Sequence, residues 1–164
     1  MKRLGIVTAG VCILVASFGS RFTLTAAPAP KGPSVGDVYA VNAGLGTSVT
    51  LCDQAACSPA ARTLVATLLL PAGSYSIAAK LVINGFNSTG AAESFCYLNA
   101  GATVIDHIAA GTSLEVPYVP AALQAAATFS GPTTITITCA NNNGLTAGQN
   151  WQLMATKVGT VSLQ

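Results

Sequence analysis

The sequence predicts an all-β protein, a two-sheet antiparallel sandwich of the jelly-roll type. Apolar and polar side chains alternate with a period of two along most of the chain, as in strands that bury one face. Turn residues separate these short segments at nearly regular spacing, which is typical of a sandwich or a barrel. Only the Ala-rich residues 120–127 favour a helix, and that segment is brief.

The first 27 residues have the pattern of a secretory signal peptide. Lys2 and Arg3 precede an apolar run over residues 4–18, and the small residues Thr25-Ala26-Ala27 follow. The run is shorter than the roughly 20 apolar residues that a membrane span needs, so an uncleaved anchor is the weaker interpretation. We expect the mature chain to start within residues 26–31, to be secreted or held at the cell surface, and to have no membrane contact after cleavage.

A short Pro/Ala-rich lead, residues 28–34, precedes one predicted β-sandwich domain over residues 35–164. This length is close to the usual size of a domain and suffices for a sizeable core. Without the signal peptide, the chain has four basic and five acidic side chains, which give a net charge of −1. Such sparse charge forms no basic stripe for nucleic acid and no polybasic membrane patch.

The strands are predicted from the alternation. In the clearest case Tyr75, Ile77 and Leu81 lie on one face, while Ser76 and Lys80 lie on the other. We expect the Pro71-Ala72-Gly73 turn to close a hairpin before this strand, because proline and glycine suit tight turns. The predicted strands are residues 35–41, 48–52, 63–70, 74–83, 93–99, 103–109, 113–118, 126–130, 134–139 and 150–161.

Four of the five cysteines lie beyond the predicted signal peptide, an even number that predicts two disulfides in an exported chain. Three pairings are open. We favour Cys52 with Cys57, across a short loop, and Cys96 with Cys139, which both lie in strand-like segments. The alternative is a zinc site, but isolated cysteines and a single histidine lack the usual ligand spacing.

Several segments together resemble known secreted proteins. These segments are LPAGSY, AAKLVI, Cys96-Tyr97-Leu98, TITITC and MATKVGTVSL. Their order resembles a group of secreted bacterial β-sandwich proteins, most of them uncharacterised, and more distantly the jelly-roll domains of the tumour necrosis factor and complement-head type. That resemblance spans residues 64–163 and implies ten strands and a homotrimer, but it implies no enzyme activity and transfers no binding residue.

Composition also favours a trimer. A chain with 51% hydrophobic and 7% charged residues has more apolar surface than a sandwich of this size must bury, and subunit contacts hide such a surplus. If subunits meet around a threefold axis, we expect apolar side chains on both faces of strands such as residues 75–83 and 151–161.

No catalytic, cofactor-binding or metal-binding residue is predicted. Asp106 and His107 form the one acid–imidazole pair, but neighbouring strand residues point to opposite faces, so we interpret them as an exposed pair at a strand edge. No Gly-x-Ser-x-Gly elbow surrounds a serine, as a hydrolase of that class needs. A calcium site from Asp106 and Glu115 lacks the usual cluster of carboxylates.

The aromatic side chains offer one further kind of site. Trp151, Tyr75, Phe95 and Tyr97 would serve a carbohydrate-binding module as a sugar-stacking platform, although core positions are the more usual fate of such rings. We take Tyr118, between two prolines, and Trp151 as the candidate ligand contacts. Asn87-Ser88-Thr89 matches the pattern of a glycosylation acceptor.

We therefore expect a secreted, non-enzymatic binding or surface-structural module whose partner is an extracellular protein or a glycan. A carbohydrate-binding module and a secreted hydrolase are the alternatives. An exposed row of aromatic rings would favour the first, and a cleft that holds His107 with further polar groups would favour the second.

Overall fold

A computed structural model describes residues 34–44, 46–53, 62–85, 92–142, 146–159 and 161. The predicted signal peptide, most of the Pro/Ala-rich lead, Cys57 and the Asn87 motif lie outside these residues. The described parts of the chain contain strands and turns but no helix. The strands are β1 Val38–Asn42, β2 Ser48–Thr50, β3 Cys52–Asp53, β4 Thr63–Leu70, β5 Gly73–Gly85, β6 Ala92–Ala100, β7 Thr103–Thr112, β8 Tyr118–Phe129, β9 Thr133–Asn141 and β10 Thr146–Val158.

Two sheets face each other. Sheet A has the order β1-β10-β5-β8, with β2 also paired to β10, and sheet B has the order β3-β9-β6-β7, with β4 also paired to β9. All pairings are antiparallel except the two-residue parallel contact of β3 with β9. Among the longer strands the chain changes sheet at nearly every connection, which is the double Greek key of a jelly roll. The predicted fold class is confirmed.

The core lies between the inward faces of the two sheets. From sheet A, β5 buries Tyr75, Ile77, Leu81 and Ile83 at 1% exposure or less. The inward residues of sheet B are equally buried, and full burial of a large apolar side chain stabilises a fold by about 2 kcal/mol. These sheet B residues include Leu98, Ile135, Ile137 and Cys139.

The Pro71-Ala72-Gly73 turn does not close a hairpin, so that prediction is wrong. Its two flanking strands belong to different sheets, since β4 pairs with β9 whereas β5 pairs with β10 and β8. Gly73 has a φ of 150°, which residues with a side chain rarely adopt. The hydroxyl group of the buried Tyr75 donates to the Pro71 carbonyl at 3.1 Å and ties the turn to the core. Burial, together with the nearby Tyr39, raises the pKa of Tyr75 above its usual value. The turn is therefore a corner between the sheets.

Residues 113–129 also differ from the prediction. Residues 113–117 form no strand, and residues 118–129 form one continuous strand, β8, where the sequence predicts strands over 113–118 and 126–130 and only a local helical tendency between them. The partner strand β5 pairs with β8 from Gly73 opposite Phe129 to Asn84 opposite Tyr118, and this ladder outweighs the weak helical preference of alanine. Pro120 is accommodated because β8 is an edge strand.

The last strand begins earlier than predicted, at Thr146, because the chain passes through a bulge. The register with β5 shifts between Gln149 and Gln152, and Asn150 has a φ of 49°. The extra residue shifts the alternation by one position, and beyond it Trp151 and Leu153 both face the core.

The predicted disulfide between Cys96 and Cys139 is confirmed. The two residues are direct register partners on β6 and β9, and their Cα atoms lie 4.2 Å apart. Such a short distance is typical of an antiparallel pair without mutual backbone hydrogen bonds. Cys52 is disulfide-bonded as well. Its predicted partner Cys57 lies outside the described residues, so that pairing stays a prediction.

Within the described residues, no helix is long and apolar enough to cross a membrane.

Replacing both Cys96 and Cys139 by alanine should lower the free energy of unfolding by about 4 kcal/mol, because the bond closes a long loop in the unfolded chain. Urea denaturation of the variant and of the parent protein measures this difference. An equal free energy of unfolding in the two proteins would contradict it. Peptide mapping without reductant should recover the fragments with Cys96 and Cys139 joined.

Replacing Gly85 by alanine should lower the free energy of unfolding by about 1–3 kcal/mol, because an added side chain overpacks the interior at this position. An added Cβ there would lie 2.2 Å from Thr112 Oγ1 and 2.7 Å from Thr112 Cβ, where the two sheets approach closely. Gly111→Ala is the matched control, since an added Cβ at Gly111 meets nothing within 4 Å. Equal thermal stability of the two variants would show that the sheets tolerate the added methyl group.

Candidate functional site

The outer face of sheet B carries a stack of three planar side chains. Arg62 immediately precedes β4, and its guanidinium carbon lies 3.4 Å from the ring centroid of Tyr97 on β6. The imidazole of His107 on β7 stacks near the same ring, with centroids 6.3 Å apart and planes inclined by 19°. Because β6 lies between β9 and β7, Arg62 and His107 reach Tyr97 from opposite sides of its strand.

Beside this stack, Asn99 organises two threonine hydroxyls. The Asn99 side chain is 9% exposed, and its Nδ2 donates to Thr136 Oγ1 at 3.3 Å and to Thr138 Oγ1 at 3.1 Å. The same nitrogen also contacts the backbone oxygens of Tyr97 and Thr136. Since both hydroxyl oxygens accept from Asn99, their hydrogens are directed to other acceptors. The threonines therefore present donors to the surface.

Arg62, Asn99 and the two threonines line a depression of about 490 Å³, which we call the sheet-B cleft. Among its described lining residues are one cation, one amide and two hydroxyls, and none of them is acidic. The wall therefore offers mainly hydrogen-bond donors, and it suits a ligand with oxygen acceptors. The lining residues are Arg62, Asn99, Gly101, Ala102, Val104, Thr136 and Thr138.

Asp106 and His107 do not form a catalytic pair in the structure. The Asp106 carboxylate accepts the backbone N–H of His107 at 2.8 Å, while the His107 ring stacks on Tyr97. The other carboxylate oxygen accepts the backbone N–H of Gln124 at 2.7 Å. Gln124 lies on β8, the edge strand of sheet A, so Asp106 joins the edges of the two sheets. The sequence showed no sign of this structural role.

The four aromatic residues do not lie together in the row that a sugar-stacking platform needs, and Tyr75 and Trp151 occupy the core positions that are the more usual expectation. Tyr75 is fully buried and packs with Tyr39 and Phe129, with centroids 5.9 and 6.1 Å away. Trp151 packs against the core, whereas Tyr97 lies on the outer face of sheet B. An alternating strand places its side chains on two faces, and the rings follow this separation.

Tyr118 and Trp151, the candidate ligand contacts, lie on different faces of sheet A. Tyr118 is 60% exposed at the start of β8, while half-buried Trp151 faces the core from β10. The Trp151 indole N–H is buried and has no hydrogen-bond partner within the described parts of the chain. The structure does not bring the two rings together, and a ligand contact by either stays a prediction.

The outer face of sheet A is nearly uncharged. Three rows of side chains cross it from β1 through β10 and β5 to β8, and Lys80 is the one charged residue among them. Depressions of about 270 and 390 Å³ follow β5 between these rows. The rows are Val38-Thr156-Ser76-Ala126, Ala40-Met154-Ala78-Gln124 and Asn42-Gln152-Lys80-Ala122.

This outer face is not uniformly apolar, so the expectation of apolar side chains on both faces of β5 is wrong. Ala78 and Val82 alternate there with Ser74, Ser76 and Lys80. Only the inward face of β5 must exclude water, and small polar residues remain compatible with the outer one.

The described residues contain no group of three or more His, Cys, Asp or Glu side chains placed to hold a metal ion.

No protein-family model matches the chain, and no curated protein matches it. Solved structures do match. The structure of infectious bursal disease virus Gx strain is 13% identical and has a TM-score of 0.52, over 78% of this chain and 35% of that one. The structure of Eiger TNF from S. frugiperda is 11% identical and has a TM-score of 0.44, over 80% of this chain and 98% of that one.

A further match is the T13 IBDV viral particle, which is 14% identical with a TM-score of 0.44, over 77% of this chain and 36% of that one. This chain thus spans only about a third of the length of the viral chains that it matches. At 13% identity the likeness to the Gx strain structure shows the fold alone, and it agrees with the sandwich described above.

Proposed function

We propose that the protein is a secreted homotrimer that acts as a non-enzymatic binding or surface-structural module. The jelly-roll sandwich fits such a module. The nearly uncharged outer face of sheet A is the observation that carries the trimer, and we propose this face as the contact between subunits.

The cost of removing water from this face is low. Charged side chains are depleted at the centres of protein interfaces because their desolvation is expensive, and Lys80 is the single charge in the three rows. Exposed Val38, Tyr118 and Met154 add apolar area. The outer face of sheet B, by contrast, carries Arg62 and Glu93. Sheet A is therefore the better subunit contact.

The position of Lys80 favours three subunits over two. In a twofold dimer whose axis passes near the inner strand β5, Lys80 would approach the Lys80 of the second copy. Around a threefold axis the contact is heterologous, so one edge of the face meets the other edge of the next subunit. The like charges then stay apart, and the ring of subunits closes.

Two features support export. The predicted signal peptide directs the chain out of the cytoplasm. The Cys96–Cys139 disulfide belongs to the oxidising compartments in which such bonds persist. Among the described residues, the Asp106 carboxylate accepts from the backbone of His107 and Gln124 while the His107 ring stacks on Tyr97, and these contacts support a non-enzymatic role over a secreted hydrolase.

Light scattering at micromolar concentration should give three times the mass of one mature chain. Ala126→Glu should convert the protein to monomers, because it adds a charge to an exposed position on the proposed contact. Ala109→Glu is the matched control, since Ala109 is an exposed alanine on the outer face of β7, the edge strand of sheet B.

A monomeric mass for the unmodified protein would refute the trimer and leave the fold untouched. If Ala109→Glu dissociates the trimer and Ala126→Glu leaves it intact, the subunit contact lies on sheet B and not on sheet A.

Replacing Asp106 by alanine should lower the free energy of unfolding by about 1–2 kcal/mol, because the backbone N–H of Gln124 loses a charged acceptor. His107→Ala should lower the free energy of unfolding by less than about 1 kcal/mol, because the only contact that its ring is observed to make among the described residues is a stacking contact at the surface. Urea denaturation measures both. A hydrolytic activity of the purified protein that disappears in His107→Ala would contradict the non-enzymatic function.

A further inference from the structure

We propose that the sheet-B cleft binds an acidic sugar, with Arg62 holding its carboxylate and the threonine hydroxyls holding its ring oxygens. This inference deepens the proposed function by naming a ligand class for the binding module. It needs only one subunit, because the described residues that line the cleft all belong to sheet B or its connections.

Arg62 is prepared to receive a carboxylate. Its guanidinium carbon lies 3.4 Å from the centre of the Tyr97 ring, and this contact restricts the group while its N–H donors remain able to bind a ligand. Within the described residues, this ring contact is the interaction observed for Arg62, and no acidic side chain lines the cleft. A planar guanidinium held in this way suits the two parallel hydrogen bonds of a carboxylate.

Two carboxylates of sheet B whose side chains are described, Glu93 and Asp106, have partners other than Arg62. Glu93 accepts from the Asn142 side chain at 3.2 Å, and Asp106 accepts from the backbone of Gln124. The cleft therefore keeps a net positive wall, which is complementary to an anionic ligand.

The threonines add a second kind of contact. Asn99 Nδ2 lies within hydrogen-bond distance of the oxygens of Thr136 and Thr138, and each hydroxyl keeps one hydrogen that can be donated to a ligand oxygen. Consecutive outward positions on one strand place these two groups along a line beside Arg62. Such a row matches a ligand with several oxygens better than one with a single charged group.

The remaining wall is apolar. Gly101 and Ala102 in the β6–β7 turn, together with Val104, which is 45% exposed, offer carbon surface to the C–H groups of a sugar ring. A volume of about 490 Å³ lies in the range of small-molecule pockets. An inorganic anion would contact Arg62 but would leave this apolar surface and one of the two threonines without a ligand contact. The combination of a cation, two hydroxyls and apolar surface therefore favours an acidic sugar.

The test is an NMR titration of the isotopically labelled protein with glucuronate, glucose and inorganic phosphate. Glucose is the matched neutral probe, because it differs from glucuronate in lacking the carboxylate. Glucuronate should bind with a dissociation constant on the order of 1 mM and shift the amide signals of Gly101, Ala102 and Val104. Glucose and phosphate should each bind at least about tenfold more weakly.

Variants assign the contacts. Arg62→Gln should weaken glucuronate binding about tenfold, and Arg62→Lys should weaken it too, because lysine keeps the charge but lacks the planar pair of donors. Thr138→Val should weaken binding as well. Thr134→Val is the matched control, since Thr134 is exposed on the same face of β9 but does not line the cleft, and it should leave binding unchanged.

Three results would overturn the inference: equal binding of glucose and glucuronate, phosphate binding as tight as glucuronate binding, or unchanged affinity in Arg62→Gln. Light scattering on the same samples separates this inference from the trimer. A monomer that binds glucuronate would refute the trimer alone, and a trimer that does not bind it would refute the acidic-sugar site alone.

Discussion

The mutual burial of the inward faces of the two sheets is the constraint on which the rest of the structure depends. Each strand can hide only every second side chain, so neither sheet is stable until the other covers it. Leu81 and Ile83 from sheet A meet Ile135 and Ile137 from sheet B in this layer. Because the chain moves repeatedly between the sheets, nearly every core contact joins residues far apart in sequence, and the core forms only when both sheets assemble.

The margins of the sandwich are closed by polar side chains. Asn141 is fully buried at the end of β9, where its Nδ2 donates to Leu51 O at 3.3 Å and to Thr146 Oγ1 at 2.9 Å. At another margin the Asp106 carboxylate accepts a backbone N–H from an edge strand of the opposite sheet. Such bonds satisfy backbone groups that the ladders leave open, and they hold the two sheets in one relative position.

A sandwich with a shared core leaves two outer faces available for function, and the two differ in chemistry. Sheet A presents rows of small, nearly uncharged side chains, which favours close approach of another protein surface. Sheet B presents an arginine fixed on a tyrosine ring beside oriented hydroxyls, which favours a small polar ligand. A subunit contact on one face and a ligand cleft on the other are therefore compatible in the same assembly.

The sequence by itself determined the strand character, because alternation is a local property that each strand carries alone. β4 was predicted at its observed bounds, and the cores of β5 and β9 followed from their regular patterns. The Cys96–Cys139 bond was also predictable, since both residues lie in clear strands. Tertiary structure alone decided that Pro71–Gly73 turns between sheets and that the Ala-rich segment of β8 is extended, because both depend on which distant strand becomes the neighbour. The same reason explains the cleft: Arg62, Tyr97 and Thr138 meet only after three separate parts of the chain have aligned in one sheet.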